Sequence, residues 1–245
     1  QVMYESKDAE AWVTDVLWSP EGDTLAVASA DGNIYLYNND DYAIKGRCGG
    51  HLTLAEEASS SRGGGAGKKS ESKSEGSKEE GKEDSGSGIG GGGGCYPLKI
   101  DFDANGQWLR SNDNEYRLVY HSAATGEHQR NGFKELKNVT FATQRTTVGW
   151  GVRGVWPVSD DGTVITASCL SHGEISNDAQ TLCTTDNMGR LRVYHYPVPP
   201  PTTEISTIGG VDALVTTAAS VPLEFRTHVG PCANVCSSYN DGAMV

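Results

Sequence analysis

Residues Trp12–Asn38 read WVTDVLWSPEGDTLAVASADGNIYLYN, and their pattern sets the fold class. Val13 to Trp18 alternates like a half-buried strand. Ser19 to Asp23 holds a proline and a glycine and reads as a hairpin turn. Leu25 to Ser29 is a second strand, Asp31-Gly32 a tight turn, and Ile34 to Tyr37 a third strand. Three strands and two tight turns in under about 30 residues make the blade signature of a β-propeller.

The unit recurs. Leu98–His121 reads LKIDFDANGQWLRSNDNEYRLVYH. Laid on the first copy, Trp18 meets Phe102, Gly22 meets Gly106, Leu25 meets Leu109, and Tyr37 meets Tyr120. That alignment makes the second copy one residue shorter between glycine and tyrosine. A third copy enters at Leu182, turns at Gly189 and closes on Tyr194. A fourth begins near His228 and stops with the chain. The spacing from Tyr120 to Tyr194 exceeds a repeat of about 40–45 residues. The excess holds an aromatic-proline knuckle, Gly154-Val155-Trp156-Pro157, followed by an acidic turn, Ser159 to Gly162. Pro197 to Pro222 reads as a loop between strands.

Between His51 and Cys95 lies a different polymer, a Gly/Ser/Lys/Glu tract with almost no aliphatic side chain. It cannot bury enough apolar area to offset its chain entropy, so disorder is expected. The expected organisation is a blade and the entry to the next over 1–52, the low-complexity insert over 53–95, and further blades over 96–245. Of these last, one is atypical and the final one truncated. The fold class is all-β, about three and a half blades of a larger WD40-like propeller.

Each closing aromatic sits where a WD repeat has its tryptophan. Gly50-His51 carries the glycine-histidine signal of such repeats, in which the histidine bonds an aspartate in the turn between strands two and three. For the second copy this gives a structural network of His51, Ser111, Asp113 and Tyr120, which satisfies buried polar groups rather than performing catalysis.

Several stretches resemble the echinoderm microtubule-associated protein-like (EMAP-like) family. Ala9 to Asn38 is similar to one of its blades, Arg47 to His51 to its G-x-C-x-G-H entry, and Gln107 to Asp113 to its Q-x-L-x-S-N-D strand. Gly154 to Pro157, with the Asp186–Gly189 turn and the strand up to Pro197, resembles its C-terminal propeller. The resemblance implies a non-enzymatic protein that binds tubulin or microtubules and tunes their assembly, in the cytoplasm and the cytoskeleton, the axoneme included. The alternative is a general protein-interaction scaffold without tubulin binding. On either reading Trp156, Pro157, Asp160, Arg190 and Arg192 are the candidate protein-binding residues. Arg190 and Arg192 fall on one side of a strand and are suited to an acidic partner.

Composition narrows the classes. The net charge is −12, which disfavours nucleic acid and also long-range attraction to an acidic microtubule surface. No apolar run approaches the roughly 18 residues of a membrane span, and nothing at the start reads as a secretory signal. The six cysteines form no C-x-x-C pair and read as small buried hydrophobes of a reducing compartment.

No cofactor, metal or catalytic residue is expected. Gly86-x-Gly88-x-x-Gly91 has neither a strand before it nor a helix after it, so it is linker. Asp101-x-Asp103-x-Asn105-Gly106 copies half a calcium loop, but the twelfth position is Asn112 and the flanks read as strands, so it is a hairpin turn. Asp160-Asp161 lacks a partner for acid–base work. A hydrolase built on the central channel would need histidines and carboxylates facing inward.

Overall fold

The computed structural model describes residues 4–51, 94–157, 161–171, 180–200, 202–208, 211–217, 222–226 and 230–236, with backbone alone over 202–208 and 211–217. The tract read as a disordered insert, up to residue 93, Ser159 and Asp160 of the acidic turn, and the start of a fourth copy at His228 lie outside the described residues.

The architecture is all-β, with three blade-like antiparallel sheets of a WD40-like propeller. The first contains β1 (Val13–Trp18), β2 (Thr24–Ser29), β3 (Ile34–Asn38) and β4 (Ile44–Cys48), in that order. The second contains β5 (Pro97–Phe102), β6 (Trp108–Asp113) and β7 (Leu118–Ser122). A short helix, α1 (Gly132–Glu135), and a 3₁₀ segment (Trp150–Val155) lead to the third sheet. That sheet holds β8 (Ile165–Leu170), β9 (Thr181–Asp186) and β10 (Arg190–His195).

After β10 the chain leaves to form a separate hairpin, β11 (Thr202–Ile208) with β12 (Val211–Thr217). It then returns as β13 (Leu223–Arg226), paired antiparallel to β10 as the outer strand of the third sheet. The segment read as a loop from Pro197 to Pro222 thus connects two strands and carries a hairpin of its own.

The inner strands of the first blade are apolar because they are covered on both faces. Ala26, Ala28, Ile34, Leu36 and Cys48 pack with Ile100, Phe102, Leu109 and Ala123 of the second blade in one core cluster. A second cluster joins Val152 and Val155 of the 3₁₀ segment to Ile165, Leu170, Leu182, Tyr194 and Val198.

The two hairpin turns matched in the sequence are the same object. In the first, Gly22 N–H donates to Ser19 O at 2.9 Å, and Ser19 Oγ accepts from Thr24 N–H at 3.0 Å. In the second, Gly106 N–H donates to Asp103 O at 3.1 Å, and Asp103 Oδ1 accepts from Trp108 N–H at 2.7 Å. Gly22 and Gly106 sit at φ +74° and +66°, where a Cβ is unfavourable. The half calcium loop is therefore a turn whose aspartate holds a backbone amide.

The alignment of closing aromatics needs one correction. β2 pairs Leu25 with Tyr37, β6 pairs Leu109 with His121, and β9 pairs Leu182 with Tyr194. The residue equivalent to Tyr37 and Tyr194 is therefore His121, not Tyr120. The second blade has no deletion. Tyr120 lies one position earlier, opposite Arg110, and so faces the other side of the sheet from Ser111.

Candidate functional site

The second and third blades end their second strand on an aspartate, two residues after a Ser or Thr: Ser111 and Asp113, Thr184 and Asp186; in the first blade Ser29 holds that position and Asp31 lies two residues further into the turn. Asp31 accepts Asn33 N–H at 3.0 Å. Asp113 accepts the amides of Glu115 and Arg117 at 3.0 and 2.8 Å. Asp186 accepts those of Met188 and Arg190 at 2.9 and 3.0 Å. In the second and third blades the arginine four residues on also bonds the other carboxylate oxygen, at 2.9 Å for Arg117 and 2.7 Å for Arg190. In the first, Tyr35 donates its hydroxyl to Asp31 at 3.0 Å. The aspartate thus replaces the amide partners that a tight turn cannot supply itself.

The second blade adds a histidine. His51 Nε2 lies 2.8 Å from Ser111 Oγ, and Nδ1 lies 3.5 Å from Asp113 Oδ2. Burial opposes the charge of Asp113, but hydrogen bonds from His51 and the Arg117 amide, with the charges of both residues, outweigh it. They hold the carboxyl below the usual range. The atom order is that of a Ser-His-Asp relay. Yet His51, Ser111 and Asp113 are all fully buried, and Asp113 is already engaged by Arg117, so no substrate carbonyl could approach Ser111. The arrangement fastens the chain entering the blade to its central strand.

Tyr120, expected in this network, stands apart from it. It packs against α1 and Phe141, with ring centroids 6.3 Å apart. The ring nearest His51 is that of His121, at 6.5 Å. His121 Nε2 lies 2.6 Å from Gly49 O, while Nδ1 is buried without a partner among the described residues. Burial, against the pull of the Gly49 carbonyl, pushes the imidazole down to about 4.

A polar hub that the sequence did not reveal joins the three blades. Asp101 Oδ2 accepts from Arg110 Nε and Nη2, both at 3.2 Å, and from the Thr146 amide and hydroxyl at 2.9 and 2.8 Å. Its Oδ1 accepts the Arg145 amide at 2.8 Å. The same segment reaches the first blade through Arg145 and Asp15, 2.5 Å apart. It reaches the third through Ser168 Oγ, which donates to the carbonyls of Gln144 and Thr146 at 3.0 and 3.1 Å. Asp101 is fully buried, and this ring of donors is what makes its charge tolerable there. A buried Asp and a buried Arg on neighbouring strands are the only local hint; their partners lie more than thirty residues away.

The expected protein-binding residues take varied positions. Trp156 is half-buried, donates Nε1–H to Thr147 O at 2.8 Å and stands edge-on to Tyr116. It is thereby a strut between blades. Pro157 is exposed beside it, and Asp160 lies outside the described residues. Arg190 bonds Asp186 and Thr163. Arg192 bonds Glu224 at 2.9 Å and lies 3.5 Å from Asp186. The two arginines do share a side, but both are engaged with carboxylates of this chain.

A cavity of about 240 Å³ lies where the first strands of the three blades converge, lined by Thr14, Lys99, Asn112, Thr147, Thr166 and four others. No histidine or carboxylate lines it. No group of three or more metal-ligating side chains occurs among the described residues, and no helix among them is long and apolar enough to cross a membrane.

Comparison with known proteins matches the family model "WD domain, G-beta repeat" to residues 3–38. The 77 kDa echinoderm microtubule-associated protein of Lytechinus variegatus is 27% identical over 208 residues, 83% of this chain and 24% of that protein. Echinoderm microtubule-associated protein-like 1 of Mus musculus is 25% identical over 78% of this chain and 18% of its own length. The ciliary WD repeat-containing protein ctxp80 of Euplotoides octocarinatus is 22% identical over 86% of this chain and 23% of its own. The chain therefore spans about a quarter or less of the length of these relatives. The chain is thus similar, over about four-fifths of its length, to EMAP and EMAP-like proteins.

Proposed function

With the chain taken as an EMAP-like WD40 protein, we propose that it is a non-enzymatic interaction platform that binds tubulin or microtubules and influences their assembly. It would act in the cytoplasm on the cytoskeleton, axonemal microtubules included. The observation that carries this reading is the alignment of microtubule-associated relatives along about four-fifths of the chain. The architecture suits the role. Three rigid sheets locked by a buried polar hub present loops from a fixed frame, and such loops are where contacts are made. The fully buried His51, Ser111 and Asp113 fit a structural network, and the axial cavity offers no acid–base pair. Trp156, Pro157 and Asp160 remain the proposed shape-defining residues of the contact; Arg190 and Arg192 would contribute only by exchanging their internal carboxylates.

Co-sedimentation of the chain with polymerised microtubules at low salt tests the reading. Appearance in the pellet supports it. Absence from the pellet, together with affinity capture dominated by partners other than tubulin, would favour a general scaffold, for which the acidic net charge of −12 is the specific observation.

A further inference from the structure

The chain is acidic, yet one stretch is not. From Glu127 to Arg153 there are five basic residues, Arg130, Lys134, Lys137, Arg145 and Arg153, against two acidic ones, Glu127 and Glu135. The fold sets two of them, Lys137 and Arg153, against a single indole. Trp150 donates Nε1–H to Phe133 O at 2.7 Å. The Phe133 ring stacks on Trp150 with centroids 4.5 Å apart. Lys137 Nζ stands 4.7 Å and Arg153 Cζ 5.1 Å from the Trp150 ring.

The cluster is exposed and rigidly mounted. Phe133, Lys134, Lys137 and Arg153 all face solvent, with Phe133 46% accessible. Beneath it Gly132 lies against the Tyr120 ring, and Val152 and Val155 are anchored in the core of the third blade. The cations differ from five other arginines of these blades. Arg110, Arg117, Arg145, Arg190 and Arg192 each have a carboxylate of this chain within 4 Å. Among the described residues, Arg130, Lys134, Lys137 and Arg153 form no such pair. Glu135, the one acid between them, is bonded by Gln129 Nε2 at 2.5 Å.

We propose that the Phe133–Trp150 platform, with Lys134, Lys137 and Arg153 around it, is a docking surface for an acidic peptide segment. Two of its cations are held in place by the indole face, so little side-chain freedom is lost when carboxylates arrive. The stacked rings supply a flat apolar floor for an extended backbone. A glutamate-rich segment fits better than a duplex nucleic acid, whose charge of one per about 1.7 Å also meets the repulsion of the acidic remainder of the chain, while a single extended peptide can be met at close range by this local patch. The proposal goes beyond tubulin binding: it names a surface and a chemistry, and holds for any partner with such a segment.

The test is titration of the 245-residue chain with a fluorescent oligoglutamate peptide, and separately with oligouridylate, read by anisotropy in low-salt buffer. Saturable oligoglutamate binding that weakens as salt rises is expected. A Lys137→Glu, Arg153→Glu double variant loses affinity at least about tenfold, and the milder Lys137→Gln, Arg153→Gln pair loses it by a smaller factor. Lys45→Gln, in the first blade and paired with Asp23 at 3.8 Å, leaves affinity within about twofold. Absence of oligoglutamate binding, equal binding by both double variants and the unmodified chain, or tighter binding of oligouridylate would each overturn the proposal.

Discussion

Arg110 and Asp101 form an almost completely buried ion pair, Nη2 to Oδ2 at 3.2 Å with side-chain exposures of 5% and 0%, where the three sheets meet. The Arg110 guanidinium also lies over the Phe141 ring, 3.8 Å from its centroid, and donates to Gln144 Oε1 at 2.7 Å. Removing either charge strands the other among partners arranged for it. Asp101→Ala is expected to destabilise the chain by about 3–5 kcal/mol, read as a fall in the urea midpoint at unchanged slope. A cost below about 1 kcal/mol would show that the hub is not what joins the blades.

His121 gives the fold a pH dependence of defined sign. Its imidazole is pushed down from 6.5 to about 4, burial being the main cause, with His51 and His128 as nearby rings adding to it and the Gly49 carbonyl opposing. The folded state therefore prefers the neutral ring more than the unfolded chain does. The stabilisation is complete above 6.5 and is lost as pH falls towards about 4, by about 3 kcal/mol in all. Urea midpoints at about pH 7.5 and about pH 5 should differ for the unmodified chain, and the difference should shrink in His121→Gln. An unchanged difference in the variant would place the titrating group elsewhere.

The packing of α1 on β7 makes an otherwise favourable substitution harmful. Alanine is preferred over glycine in a helix by about 1 kcal/mol. At Gly132, however, an added Cβ would lie 2.6 Å from Tyr120 Cβ and 2.7 Å from its Cγ, atoms next to the backbone that cannot swing away. Gly132→Ala should therefore lose about 1–3 kcal/mol. A higher melting temperature in the variant would contradict the described contact.

The two hairpin glycines supply a matched pair. A Cβ at Gly22 would meet nothing within 4 Å, and at Gly106 only ordinary contacts at 3.9 and 4.0 Å. The cost of Gly22→Ala and Gly106→Ala should then come from positive φ alone, about 1 kcal/mol each. Differential scanning calorimetry should show similar drops in Tm. A difference of several-fold would mean that the two turns are not equivalent.

These glycines also show what the sequence made legible. The constant offset from Gly22 to Gly106 and from Leu25 to Leu109 marks strands and turns whose residues obey local rules, and the structure keeps it. The slip came at Tyr120, where matching tyrosine to tyrosine overrode the spacing, while strand pairing put His121 in the ring position. Outer strands were harder to see. β4, Ile44–Cys48, is exposed at Ile44, Lys45 and Arg47, so it lacks the alternation of a half-buried strand. β13 is exposed along its whole length and is reached only after a separate hairpin. The Asp101 hub was invisible for another reason: Thr143, Arg145 and Thr146 bond Asp101 across 42 to 45 residues, and no local period encodes such contacts. Arg190 and Arg192 were correctly placed on one side of a strand, but pattern alone could not show that Asp186 and Glu224 already meet them.

The central claim is that this chain engages tubulin. Sedimentation velocity of the 245-residue chain mixed with soluble tubulin at low salt tests it most directly. A boundary faster than either component, growing with tubulin concentration and receding as salt is added, is the predicted result. Two independent boundaries at every ratio, matched by absence from microtubule pellets, would contradict it.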